Sequence, residues 1–424
     1  MRYLIVGGSI AGLNAVEAIR RLDSRGEIVL VSEENEPPYS RPLISHWLAD
    51  QQCERQLYRP ADFYRQMKVK LYLGVKAARL DPAQKRLLLA TGQELTYDRL
   101  LLACGGTPIV PAFEGKEGIR THSFFTWQDA RSLAAVARRG ERALVVGGGL
   151  IGLKAAESLK ELGLEVAVAE LGSQILGSIL PQKVAAILTQ LLVGQGLEFY
   201  LNQTITKVEK AGKQIDCYLD SLKLRVDQLV LAVGVRPNLE LCQGTGLETK
   251  RGILVNEKQQ TNLTDIYAAG DVTESIEPLT GQRRVMAILP HAARQGRIAG
   301  AVMAGGSCPS QTGIVFNSIT ILGHNIVTMG LTGEREDSEN ETIDYDRKTQ
   351  QLTQLRWQGK RIIGAVLLNR PERSGIYRQL IEQKVELPEV GYVQPSFLSL
   401  PQEAWPDDET QQPAGRGCDH GTDH

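Results

Sequence analysis

The residues best suited to chemistry lie in two glycine turns and the acids that follow them. The clearer turn reads Gly147-x-Gly149-x-x-Gly152. Apolar residues 143–146 predict a strand before it, and residues to about 162 predict a helix after it. Residues 165–169 predict a second strand that ends on Glu170. In such a unit the first glycine permits a tight turn and the second lets the backbone approach a pyrophosphate. The third lets the helix pack closely on the strand, and the helix N-terminus turns unpaired N–H groups toward phosphates. Glu170 follows Gly147 by 23 residues, a spacing that suits a carboxylate holding a ribose 2′-OH. A carboxylate there repels a 2′-phosphate, so the unit predicts a dinucleotide site that prefers NAD(H) to NADP(H).

Residues 1–33 repeat the pattern. Residues 3–6 predict a strand, Gly7-Gly8-Ser9-Ile10-Ala11-Gly12 a turn, 13–22 a helix and 27–32 a strand, with Glu33 next. Ser9 stands where the middle glycine belongs, and its side chain crowds the closest backbone approach. Two such folds imply two nucleotides, or one nucleotide and a degenerate copy.

Further segments separate those alternatives. Glu36-Pro-Pro-Tyr-Ser-Arg41-Pro42-Leu-Ile-Ser-His46 follows the first acid, and its three prolines prevent regular structure at its start. Residues 100–108, with Ala103, Cys104 and Gly105, predict a strand entering a turn, and 229–237, with Gly234, repeat that shape. Residues 265–272 predict a strand ending in Gly270-Asp271, and 290–297, with His291 and Ala292, open a helix.

These ordered motifs, over about residues 1–305, resemble the pyridine nucleotide-disulfide oxidoreductase superfamily of flavoproteins. The resemblance implies an α/β chain with two Rossmann-like dinucleotide-binding domains. FAD would sit on a discontinuous domain of residues 1–111 and 241–310, with NAD(H) on an inserted domain of residues 112–240. Gly7, Ser9, Gly12, Glu33, Arg41, Pro42, Ala103, Gly105, Asp271, His291 and Ala292 would then belong to the FAD site. Gly147, Gly149, Gly152, Glu170 and Gly234 would belong to the NAD(H) site. Glu33 would hold the adenosine ribose and Asp271 the ribityl or pyrophosphate part. The helix opening near His291 would aim its positive end at the flavin pyrimidine edge.

Composition restricts the alternatives. The 424 residues are 42% hydrophobic and 23% charged with a net charge of -1, so nothing favours nucleic acid or an anionic membrane. No apolar run reaches the roughly 20 residues of a membrane span. The predicted strand at the very N-terminus leaves no room for a signal peptide. Six scattered cysteines (Cys53, Cys104, Cys217, Cys242, Cys308, Cys418) form no C-x-x-C pair. The expectation is reduced thiols, a cytoplasmic protein and no metal site.

The chain lacks the cysteine pair of the disulfide reductases. It also lacks a cysteine at 38–47, where NADH oxidases and coenzyme A-disulfide reductases carry one. Cys53, further on, is expected to be structural. Electrons should therefore pass directly between flavin and an external acceptor. The segment from Arg41 to His46 resembles R-P-P-L-S-K of ferredoxin and rubredoxin reductases, in which the Lys pairs by the flavin with a Glu after the second turn. Here His46 and Lys154 stand at those two positions, and both are catalytic candidates. His46 is equally readable as a packed aromatic in a loop, and Glu157, one turn from Lys154, is a candidate ion-pair partner.

Residues 311–332 predict strands and a turn at 323–325, 351–369 a hairpin turning at 358–360, and 372–383 a helix. Together they form a small α+β C-terminal domain over 311–395. Residues 396–424, including His420 and His424, read as a flexible tail. The expected function is an NADH:acceptor oxidoreductase that works with a rubredoxin- or ferredoxin-like protein, or as the NAD-linked flavin subunit of a larger iron–sulfur enzyme. Flavin subunits of that kind occur in anaerobic 2-oxoacid and aldehyde oxidoreductases. The alternatives are an NADH oxidase using oxygen and a non-enzymatic NADH sensor. Either a homodimer or a hetero-oligomer fits.

Overall fold

The computed structural model describes residues 1–51, 57–60, 62–307, 313–333 and 340–387. Cys53, Cys308 and the tail with Cys418, His420 and His424 lie outside the described residues.

Two parallel five-stranded sheets carry the two glycine turns. In the first, strand Arg2–Val6 lies between Glu27–Ser32 and Arg99–Leu102, with Val69–Leu73 and Ile266–Ala268 at the edges. The second places Arg142–Val146 between Glu165–Glu170 and Gln228–Leu231, with Leu197–Leu201 and His122–Ser123 at the edges. The two central strands share one burial pattern, an intermediate first residue followed by four buried ones. Such continuous apolar runs mark parallel strands covered on both faces. Ile266–Ala268 joins the first sheet from beyond the whole second sheet, beside Arg99–Leu102. The repeated segments noted in the sequence pair with each other: Gly106–Pro108 runs antiparallel to Val235–Pro237. This ribbon ties the outgoing and returning connections together.

Helix Ile10–Leu22 follows the first glycine turn and packs on helix Leu289–Met303. The approach is so close that a side chain at Gly296 or Gly300 would overlap the backbone of Ala11 or Ala15. Residues 41–49 depart from the expected loop, because Pro42 falls in the first turn of Arg41–Leu43, a 3₁₀ turn where proline is tolerated, and helix Ile44–Ala49 follows with no proline.

The C-terminal sheet is antiparallel, in the order Phe316–Ile321, His324–Gly330, Arg361–Leu368, Gln351–Gln358 and Asn340–Asp346, with helix Ser374–Glu382 beside it. One face packs on that helix through Val327, Leu367, Tyr377 and Ile381. The other face contributes Ile321, Ile326, Val366 and Leu368 to a core shared with Leu153, Leu188 and Leu197 of the second unit and with Ile44 and Leu48 of the first. Three segments of chain therefore meet in one apolar interior. The turn between the first two C-terminal strands puts both Leu322 (φ 45°) and Gly323 (φ 82°) in the left-handed region, the geometry of a two-residue hairpin turn. Among the described residues, no helix is long and apolar enough to cross a membrane.

Candidate functional site

A cleft of about 670 Å³ opens at the carboxyl end of the first sheet, within the size range of cofactor sites. Open parallel sheets bind ligands at that end. Gly7, Ser9, Glu33, Arg41, Ala103, Gly105, Asp271 and Ala292 line the cleft. Other candidates support it from behind or lie outside it. Gly12 sits under the turn, where a side chain would strike the Gly7 carbonyl oxygen. Pro42 is an exposed residue of the 3₁₀ turn.

The first glycine turn is built as the sequence requires. Gly7 has φ +117° and Gly147 has φ +116°, values that an L side chain rarely adopts. At Ser9 the backbone itself is unstrained. Ser9 (φ −86°, ψ −165°) and Gly149 (φ −80°, ψ −177°) hold nearly the same extended conformation, so serine meets no strain there. Its hydroxyl does not cap the helix, which leaves the first N–H groups for a ligand.

Asp271 is the most telling residue in the cleft. Burial pushes its carboxyl above the usual carboxylate range, and only the Arg41 guanidinium acts against that shift. Among the described residues no hydrogen bond or ion pair reaches this carboxylate. A buried acid without a partner is costly, and the hydroxyls of a ribityl chain would satisfy it. Its turn is fixed from behind, because buried Gln295 accepts from the Gly270 N–H at 2.8 Å and bonds Thr273 Oγ1. His291 joins that network through Ser275 Oγ at 3.4 Å. Burial brings its pKa down to about 4, so the neutral ring supports the helix start and does not line the cleft.

Arg41 is aimed by neighbours. It pairs with Glu34, donates to the Phe125 carbonyl at 3.1 Å and lies 4.7 Å over the Phe125 ring. Tyr39 Oη donates to Glu34 at 2.5 Å and accepts from the Trp127 N–H at 2.8 Å. The 36–46 segment is thereby fixed to the start of helix Trp127–Ala134.

Sequence reasoning missed Glu34, Lys76, Cys104, Phe125, Asn238 and Glu240 as cleft residues. Lys76 and Glu240 form a 2.7 Å ion pair there, and no sequence signal joins positions so far apart. Burial pushes the Cys104 thiol up to about 12, with Cys242, Glu240 and Glu33 as electrostatic neighbours. Cys104 thus lines the cleft as a neutral thiol.

The second turn brings Gly147, Gly149, Gly152, Glu170 and Gly234 to the equivalent place on the second sheet. A side chain at Gly147 would strike the Ala232 carbonyl oxygen, and one at Gly152 the Gly147 carbonyl oxygen. At Gly149 a Cβ would meet nothing within 4 Å, so protein packing does not demand that glycine. Glu170 accepts from the Gly148 N–H at 2.6 Å and from the Gly172 N–H at 2.7 Å.

The two catalytic candidates fall elsewhere. His46 is exposed on helix Ile44–Ala49 and neighbours Glu161. It is neither packed in a loop nor part of the cleft lining. Lys154 pairs with Glu157, as expected, and also donates to the Thr320 carbonyl at 3.1 Å in the C-terminal sheet. It does not line the cleft. Among the described residues no cluster of His, Cys, Asp and Glu could hold a metal ion.

Residues 1–296 match the family described as pyridine nucleotide-disulphide oxidoreductase, and the chain belongs to that family. It is an NAD(H)-dependent flavoprotein oxidoreductase with FAD and NAD(H) as cofactors. The chain is 29% identical to the NADH-dependent phenylglyoxylate dehydrogenase subunit epsilon of Aromatoleum evansii, over 91% of this chain and 92% of that one. It is 32% identical to an NADH oxidase of Methanocaldococcus jannaschii, over 72% and 70%. It is 27% identical to the rubredoxin-NAD(+) reductase of Pseudomonas putida, over 88% and 97%. Its fold superposes on the covalent putidaredoxin reductase–putidaredoxin complex with a TM-score of 0.85 at 22% identity, over 91% and 94%.

Proposed function

We propose that the chain exchanges electrons between NAD(H) and an external one-electron redox protein, either ferredoxin- or rubredoxin-like or an iron–sulfur subunit of a larger oxidoreductase. Bound FAD supplies the conversion between a hydride and single electrons. The protein holds the cofactors: Glu33 toward a ribose, Asp271 toward the ribityl hydroxyls, and the Ser9 and Gly149 helix starts toward two pyrophosphates. Glu170 reads the NAD(H) ribose. The observation that carries this reading is the absence of a usable thiol among the described residues of the cleft. Burial keeps the Cys104 thiol protonated, and a thiol in that state is a poor nucleophile. Electrons then leave the flavin for an external acceptor rather than a thiol of this cleft. The free cysteines Cys104, Cys217 and Cys242 suit a reducing compartment, and we place the protein in the cytoplasm. The names of the phenylglyoxylate dehydrogenase and rubredoxin reductase relatives support both forms of the partner.

The NADH oxidase relative favours a second reading, with oxygen as acceptor. One experiment separates the two. The purified yellow protein is reduced anaerobically with NADH, then mixed separately with oxidised rubredoxin, ferredoxin, benzyl viologen and air. Fast reoxidation by one-electron acceptors and slow reoxidation by air is the expected result. Fast reoxidation by air alone would make the chain an oxidase, and stable bleaching with every acceptor would remove the electron-transfer reading.

A further inference from the structure

Lys154 and Glu157 lie on helix Leu150–Glu161, which begins at the second glycine turn. Their side chains are 17% and 8% exposed, too buried for an ordinary surface pair. Glu157 accepts from both Lys154 and the Leu322 N–H, the latter at 2.6 Å. Lys154 also donates to the Thr320 carbonyl at 3.1 Å. At the end of helix Gln182–Gly194, Gln195 donates to the Leu322 carbonyl at 2.9 Å and contacts His324 Nε2 at 3.0 Å. Both backbone polar groups of Leu322 are therefore held by the second unit, and Leu322 is the non-glycine residue of the turn in the left-handed region. One turn along the same helix, Ser158 Oγ donates to the Ser45 carbonyl at 2.9 Å. The shared apolar core supplies adhesion without direction, whereas these bonds have direction and fix how the helix is rotated and advanced.

We propose that Lys154 and Glu157 are positioning residues: they clamp the 320–324 turn to the nicotinamide-site helix and so set the approach of the dihydronicotinamide to the flavin. The proposal rests on the hydride-transfer reading above. Both side chains are spent on protein partners, the pair itself and the Thr320 and Leu322 backbone groups, so breaking the clamp should slow flavin reduction while leaving nucleotide affinity nearly intact. A small misplacement is enough, because transfer rates fall steeply as the reacting atoms leave near-attack distance.

The test uses the full-length holoprotein with Lys154→Met, Glu157→Gln and Lys154→Arg. Hydrogen exchange is measured over 316–324, NAD+ affinity by titration, and flavin reduction by stopped flow with NADH. Lys154→Met and Glu157→Gln should each speed exchange at 320–324 at least tenfold. They should slow flavin reduction about tenfold and leave NAD+ affinity within threefold. Lys154→Arg should restore both rates. Unchanged exchange in the two neutralised variants would overturn the clamp. So would a large loss of NAD+ affinity without faster exchange, since Lys154 would then contact the nucleotide itself. If the wild type is not reduced by NADH, the functional reading fails, and the exchange data alone support or overturn the clamp.

Discussion

Asp271 is a residue whose burial costs stability and which, on the proposed function, would serve a cofactor. Its carboxylate has no protein partner among the described residues, and burial raises its pKa. In the FAD-free chain, proton binding to Asp271 is therefore stronger in the folded state. Its contribution is most favourable at low pH and is lost as pH rises through the folded pKa. Asp271→Ala removes that penalty and, on the proposed function, also the acceptor for the flavin chain. The FAD-free variant should be at least as stable as the FAD-free wild type. FAD should bind roughly 1.5–3 kcal/mol more weakly, the worth of a hydrogen bond to a charged group. Flavin absorbance after purification and the unfolding midpoint of the stripped protein check the two halves. Full yellow occupancy would mean that Asp271 does not hold FAD. Cys104 lies in the same cleft but is neutral because burial disfavours the thiolate.

At the scale of elements, the two strand–turn–helix units separate glycines needed by the fold from a glycine that protein packing does not require. Gly147 has φ +116°, and its missing side chain leaves room for the Ala232 carbonyl. Gly149 has an ordinary φ of −80° and open space beside it. Gly147→Ala should lower stability by about 1–3 kcal/mol, the usual cost of a strained backbone site. Gly149→Ala should leave stability within about 0.5 kcal/mol, yet weaken NAD(H) binding because the methyl group occupies the pyrophosphate's approach. Thermal melts and NADH titration of both variants provide the check. Equal losses of stability would show that the open space beside Gly149 is not needed for binding alone. Ser9 is consistent with this division, because it occupies the equivalent extended position on the first unit without strain.

At the scale of the molecule, the C-terminal sheet is the wall of a shared interior. Leu368 is fully buried at 0% exposure in the core that also holds Leu153 and Ile44. Leu368→Ala should cost about 2–5 kcal/mol, as large-to-small core changes do. The loss should appear as one transition. Trp127 belongs to the same core, so its fluorescence and the far-UV circular dichroism should shift together. Separate midpoints for the two signals would mean that the units unfold independently. The polar clamp at 320–324 acts on the same boundary and supplies the orientation that apolar burial cannot.

The sequence alone determined both glycine turns, both acids, the Gly-Asp turn and the C-terminal hairpin, because each is a local pattern. A turn needs residues with particular backbone freedom in consecutive positions, and a strand or helix shows its period within a few residues. The observed strands Arg2–Val6, Glu27–Ser32, Arg142–Val146 and Glu165–Glu170 lie at or within a residue of the expected bounds. The missing redox cysteines were equally plain. Only the tertiary structure decided which candidates share a cleft. Lys76 and Glu240 meet although far apart in the chain, and Gly106–Pro108 pairs with Val235–Pro237 after the entire second unit. It also moved His46 to an exposed helix face and Lys154 to the C-terminal turn. Those positions depend on how helices Ile44–Ala49 and Leu150–Glu161 pack against each other and the last sheet. Local periodicity does not encode that packing, because it emerges only when distant apolar faces close on one another.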